Sequence, residues 1–166
     1  NVVSYKPVAG ADHDGSMSFG GGLAQDFIDA RFAGRKAEND CKYDKIVTME
    51  SPTAGVVNTD RIGGMLDGLA SVCGPIDEAK VNHQDGKNTV EGGLATMNDV
   101  LPTLAPGSIT VVLSLNDDMA LGSLAAMKTV GRDSELRIGA QGADTSAHYE
   151  IACNPVWLAD AAYFPE

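Results

Sequence analysis

Positive charge is scarce in this chain: 12 lysines and arginines stand against 23 aspartates and glutamates, a net charge of −11 over 166 residues. Such a surface repels phosphate backbones and anionic bilayers, which argues against nucleic acid as a partner. No apolar run approaches the ~20 residues that span a bilayer. The chain also does not open on the charged and then apolar stretch of a secretory signal. The histidines His13, His83 and His148 are not at metal-ligand spacing, and Cys41, Cys73 and Cys153 are far apart with no CxxC. Catalytic signatures are missing too: there is no Gly-x-Ser-x-Gly elbow, no HExxH and no P-loop lysine. The Gly20-Gly21-Gly22 run stops short of a dinucleotide fingerprint because Gln25 stands where its third glycine belongs. The pattern supports neither an enzyme nor a cofactor. Asp12-His13-Asp14 could be read as a metal cluster, but adjacent loop acids around one histidine are better read as solvated.

What is present is an alternation of apolar runs. With 43% hydrophobic residues the chain can bury one sizeable core, and residues 1–166 are expected to form a single α/β lobe. Its clearest unit is 108–144. Ile109–Leu115 is a β-branched apolar run of the kind buried on both faces in a parallel sheet. Asn116 then makes a good N-cap, Asp117 and Asp118 put negative charge into a first helical turn, and Met119, Leu121, Leu124, Met127 and Val130 recur at helical spacing. Gly131 ends that helix, and Leu136–Ala140 forms the next strand. The same reading places strands at Val2–Tyr5, Met17–Phe19, Lys45–Met49, Glu78–Asn82 and Leu158–Tyr163. Helices are expected over Leu23–Phe32, Val57–Val72, Val90–Leu104 and Ala147–Ala152. The result is a doubly wound, mostly parallel sheet of about six strands with helices on both faces.

In open α/β sheets ligands bind outside the carboxyl ends of the strands. This makes Asn116, the Gln141–Asp144 loop and Arg61, early in its helix, the first site candidates. Amides, hydroxyls and one guanidinium suit a polyhydroxylated ligand. Cys41 and Cys73 each precede a strand, so both lie at strand entrances on the opposite face. Neighbouring entrances can bring their Cα atoms within disulfide range while Cys153 stays free, although three reduced, buried thiols would fit the sequence almost as well.

Residues 116–122, Asn-Asp-Asp-Met-Ala-Leu-Gly, followed by Gly131 and Gly139-Ala-Gln-Gly-Ala-Asp144, resemble the signature region of type I periplasmic sugar-binding proteins, the solute receptors of ABC importers. Val2–Tyr5, Ser18-Phe19, Ser51-Pro52-Thr53, Arg61–Gly64, Asp85-Gly86 and Tyr163–Glu166 fall in the family's order, closest to its xylose and ribose branches. The resemblance implies a Rossmann-like second lobe, with the first lobe and the final helices outside this stretch. It implies carbohydrate transport by a monomer that closes over a sugar, delivers it to a membrane permease and works in the periplasm or outside the cell, with or without a lipid anchor. Sugar-responsive transcription regulators share the fold, and their effector-binding domain is the alternative. Carried over residue by residue, Asn116 matches the ligand-binding asparagine and Arg61 an arginine that reaches sugar hydroxyls. Gln141 and Gly142 lie where the xylose branch has Gln-Asp, with Asp144 in the same loop. Lys87 or Asn88 stands where an aromatic ring commonly stacks, and Phe164 where a polar residue is frequent. Lys6-Pro7 and Gly20-Gly21 replace Asp-Arg and Asp-Asn pairs, so the resemblance carries the fold and leaves the sugar open.

Overall fold

A computed structural model describes residues 41–162 of the chain, with Asp29, Phe32 and Ala33 ahead of them; Asp29 and Phe32 are helical. The expected strands at Val2–Tyr5 and Met17–Phe19, the Gly20–Gly22 turn, the Asp12-His13-Asp14 cluster and Phe164 lie outside the described residues. The chain divides into two compact units, Asn1–Asp40 and Cys41–Glu166. The second unit holds every strand found among the described residues.

Five strands, β1 (Lys45–Glu50), β2 (Val81–Asp85), β3 (Thr110–Ser114), β4 (Leu136–Gly142) and β5 (Trp157–Ala162), form one sheet in the order β2-β1-β3-β4-β5. Every pairing is parallel. Four helices connect them: α1 (Val56–Cys73), α2 (Val90–Val100), α3 (Asp117–Thr129) and α4 (His148–Cys153). The β2-to-β3, β3-to-β4 and β4-to-β5 crossovers run one way across the sheet and the β1-to-β2 crossover runs the other. Right-handed crossing therefore puts α2, α3 and α4 on one face and α1 on the opposite one.

Alternation along the strands builds the core. Val47 and Met49 of β1, Val112 of β3, and Leu136, Ile138 and Ala140 of β4 are buried with Met97 and Val100 of α2 and Met119, Leu124 and Met127 of α3. The α2 and α3 helices approach unusually closely. A Cβ on Gly93 would lie 2.4 Å from the Met119 carbonyl oxygen, and one on Gly122 would lie 2.1 Å from that of Val90. Both positions need glycine for backbone proximity.

The structure corrects three boundaries. Glu78–Lys80 is a single 3-10 turn, capped by the Asp77 carboxylate accepting from the Ala79 amide at 3.0 Å, and the strand begins only at Val81. The stripe through Leu104 is not one helix: α2 stops at Val100 and Leu101–Thr103 tightens into a 3-10 turn. Pro102 is the reason, since it has no N–H for the ladder and its ring collides with the preceding turn. The last strand starts one residue earlier than expected, at Trp157. Cys41 and Cys73 form a disulfide with Cα atoms 5.4 Å apart, tying the segment that enters β1 to the end of α1, while Cys153 is free and exposed. Among the described residues no helix is long and apolar enough to cross a membrane.

Candidate functional site

The strand order reverses between β1 and β3: the connection from β1 runs through α1 to β2 at one side of the sheet, and that from neighbouring β3 runs through α3 to β4 at the other. A crevice opens at the carboxyl ends of such a strand pair. Beyond β3 the ladder continues to Leu115, whose amide donates to the Met49 carbonyl at 2.9 Å. Asn116 then turns the chain. Its backbone is extended, its Oδ1 accepts from the Met119 amide at 3.1 Å to cap α3, and the Ser114 hydroxyl donates to its carbonyl at 2.7 Å. The cap read from sequence is therefore present, and it uses the oxygen of the amide. Asn116 Nδ2 donates to Asn88 Oδ1 at 3.0 Å, joining the loops after β3 and β2.

Arg61 lies in the second turn of α1, and its Nη1 donates to the Leu115 carbonyl at 3.0 Å. The guanidinium thus reaches across the crevice to the residue before Asn116. Arg61, Asn88 and Asn116, named from three separate stretches of sequence, are brought to one edge. Gln141 joins them at the same level: Gly139 is the partner of Leu113, and Gln141 and Leu115 each follow by two residues. Asp144 follows in the loop after β4. Its side chain is exposed, and its backbone amide donates to Asp117 Oδ2 at 2.6 Å.

The loop carrying Asn88 is built for its shape. Lys87 and Asn88 both have left-handed backbones, with φ of 57° and 60°, a conformation asparagine tolerates better than lysine. Asp85 holds the turn by accepting from the Lys87 amide at 3.0 Å and by an ion pair with the Lys87 ammonium.

Two features have no clear signal in the sequence. Asp117, which reads there only as a charge at a helix start, is fully buried, and its Oδ1 has no hydrogen-bond partner. Burial, reinforced by the charges of Asp160 and Asp144 and opposed by the Asp144 amide, pushes its carboxyl up to about 7. Only Gly142 offers a hint: a Cβ there would stand 2.8 Å from Asp117 Oδ2. The second feature is a network at the end of β1. Glu50 accepts from the Thr48 hydroxyl at 2.6 Å and Asn58 Nδ2 at 3.0 Å, and it meets His83 Nδ1 at 2.5 Å, while His83 Nε2 meets Glu78 at 3.0 Å. Burial opposes ionisation of Glu50, but the hydrogen bonds from Thr48, Asn58 and His83 outweigh it and hold the carboxyl below its ordinary range. Hydrogen bonds to Glu50 and then Glu78 raise His83. The register pairs Thr48 with His83, which explains the cluster, but no local pattern announces it. Among the described residues no group of three histidine, cysteine or acidic side chains is placed to hold a metal ion.

The sequence matches no protein-family model and no curated protein. Its fold matches solved structures. A solute-binding protein of an ABC transporter from Burkholderia multivorans, holding an unidentified ligand built as α-D-erythrofuranose, is similar over 92% of this chain and 53% of its own, with 17% identity and a TM-score of 0.60. A periplasmic solute-binding protein from Actinobacillus succinogenes with bound D-allose is similar over 84% of this chain and 49% of its own, with 16% identity and a TM-score of 0.54. A LacI-family regulatory protein from Chloroflexus aggregans is similar over 76% of this chain and 42% of its own, with 24% identity and a TM-score of 0.52. The chain spans about half the length of these proteins, and what it shares with them is a parallel α/β fold.

Proposed function

We propose that this chain is one lobe of the type I sugar-binding fold, the second lobe of an exported solute-binding protein. It takes a monosaccharide or similar polyol at the carboxyl edge of its sheet and serves the membrane permease of an ABC importer. The reading is of a binding protein and not an enzyme. The observation that carries it is the meeting of Arg61, Asn88 and Asn116 across the β1/β3 crevice, with donors and acceptors suited to hydroxyl groups. Asn116 and Asn88 contribute amides, Arg61 a planar fork, and Gln141 a further amide from β4.

The second reading, an effector-binding domain of a sugar-responsive regulator, is favoured by the similarity to the LacI-family protein. The disulfide weighs against it, because such bonds persist in exported proteins and are rare in the reducing cytosol where a transcription regulator works.

One lobe supplies half the walls of a cleft that must enclose most of a small ligand, so the isolated chain is expected to bind weakly. Amide-resolved NMR titration with D-xylose, D-ribose, D-allose and myo-inositol tests this. The expected outcome is millimolar affinity for at least one of them, with shifts at Asn88, Asn116 and Gln141 that are lost in Asn116→Ala. Micromolar binding would overturn the half-cleft argument, and shifts confined to another surface would overturn the site.

A further inference from the structure

The end of β4, which holds Gln141, and the loop from it to α4, which holds Asp144, hang on two carboxylates. Asp117, at the start of α3, accepts from the Asp144 amide at 2.6 Å through Oδ2. Asp160, on β5, accepts from the Ala143 amide at 3.0 Å through Oδ1 and from the Trp157 indole N–H at 3.0 Å through Oδ2. Three of the four carboxylate oxygens therefore have donors. The fourth, Asp117 Oδ1, has none and is out of reach of water. We propose that Asp117 and Asp160 share a single proton, carried on Asp117 Oδ1, and that this proton positions the Gln141–Asp144 loop.

The electrostatics leave little alternative. The charged groups facing Asp117 are Asp160 from β5 and Asp144 from the loop, both acidic, and Asp118 follows it on its own helix. His148 of α4 contacts the same loop, its Nε2 meeting the Ala143 carbonyl at 2.9 Å. Among the described residues Asp117 and Asp160 take part in no ion pair. An isolated buried carboxylate without a partner is costly, and two carboxylates sharing a site hold one proton between them well above the ordinary range. A proton on Oδ1 cancels one charge and turns the unpartnered acceptor into an O–H donor, with the Asp160 carboxylate as its acceptor. The rise of Asp117 to about 7 agrees with this arrangement.

The loop is shaped around the protonated group. Gly142, at φ +150°, passes so near that a side chain would strike Asp117, and Ala143 is left-handed at φ 55°. When the proton leaves for solvent, a second negative charge appears in a space with no room for water, and the loop must lift to hydrate it. Asp117 is thus a positioning residue for the loop. That the loop belongs to the ligand edge rests on the function proposed above; the shared proton does not.

The test is amide NMR of the full chain without sugar, between about pH 4 and pH 9, a span that covers the ordinary carboxylate range and neutrality. The Ala143 and Asp144 amides are expected to titrate together with a midpoint near 7. Asp117→Asn, whose side-chain amide reproduces the protonated carboxyl, should abolish that titration, and Asp160→Asn should lower its midpoint. A wild-type midpoint near 4, a titration that survives Asp117→Asn, or one that disappears in His148→Gln would overturn the proposal. Should Asp117→Asn fail to fold, Asp160→Asn decides the question, and an unchanged midpoint refutes the shared proton. Sugar affinity enters none of these measurements, so a failure of the binding assignment leaves the result readable.

Discussion

Gly122→Ala adds one methyl group where α3 crosses α2, and the structure makes that methyl expensive. The new Cβ would stand 2.1 Å from the Val90 carbonyl oxygen, 2.5 Å from the Leu94 amide nitrogen and 3.0 Å from the Gly93 carbonyl carbon. All three atoms are backbone, so no rotamer change relieves the collision. The helices must part by about 0.9 Å, the difference between 2.1 Å and the 3.0 Å below which real Cβ atoms essentially never approach. That movement loosens Met97 and Met119, both fully buried beneath the crossing. Overpacking of this kind costs about 3 kcal/mol at the upper end of its usual range. Replacing a helical glycine by alanine returns about 1 kcal/mol of propensity. The net loss is about 2 kcal/mol, a fall in Tm of roughly 4 to 8 °C for a chain of this length. Gly64→Ala in α1 is the matched control: the same change of residue, with nothing within 4 Å of the new Cβ, should stabilise by up to about 1 kcal/mol. Calorimetry or circular dichroism melting of the two variants beside the wild type gives the answer. If Gly122→Ala melts at or above the wild-type temperature, the helices are not in backbone contact and the account of this core is wrong.

Thiol counting under denaturing, non-reducing conditions should find one reactive group, Cys153. Reducing the Cys41–Cys73 bond, which closes a separation of 32 residues, should then lower stability by roughly 3 to 4 kcal/mol on loop-entropy grounds, read as a fall in urea midpoint. Three reactive thiols would refute both statements. The His83 network predicts a stability that depends on pH. Because the folded state raises the His83 pKa above its ordinary value, the favourable contribution is complete below about pH 6.5 and is lost as pH climbs through the higher folded value. Urea midpoints should therefore fall across the neutral-to-alkaline range in the wild type and much less in His83→Gln; equal slopes would show that the histidine is not held by Glu50 and Glu78.

Much of this architecture is dictated locally and can be read in the chain. The Ile109–Leu115 run needs burial on both faces, Asn116 offers the next helix a cap that few residues match, and the helical stripe from Met119 to Met127 has one buried face; each appears where its chemistry requires. Parallel order follows from the alternation of strands and helices, because only a crossover helix returns the chain to the starting edge. Asn116 can be named because it ends a strand and caps the next helix, and Arg61 because it lies early in the helix that follows a strand, whereas Asn88 is named through the family resemblance. Pairings between distant segments are not legible in that way. No spacing foretells that Thr48 faces His83, that Gly93 and Gly122 bring two helices into backbone contact, or that Asp117, an ordinary acid at a helix start, is enclosed beside Asp160. Sequence periodicity records which face of an element is apolar. Strand register, helix crossing distance and the loss of water around a carboxylate arise only when elements far apart in the chain are packed together, and in this protein those decide the shape of the sheet's carboxyl edge and the surroundings of Asp117 beneath it.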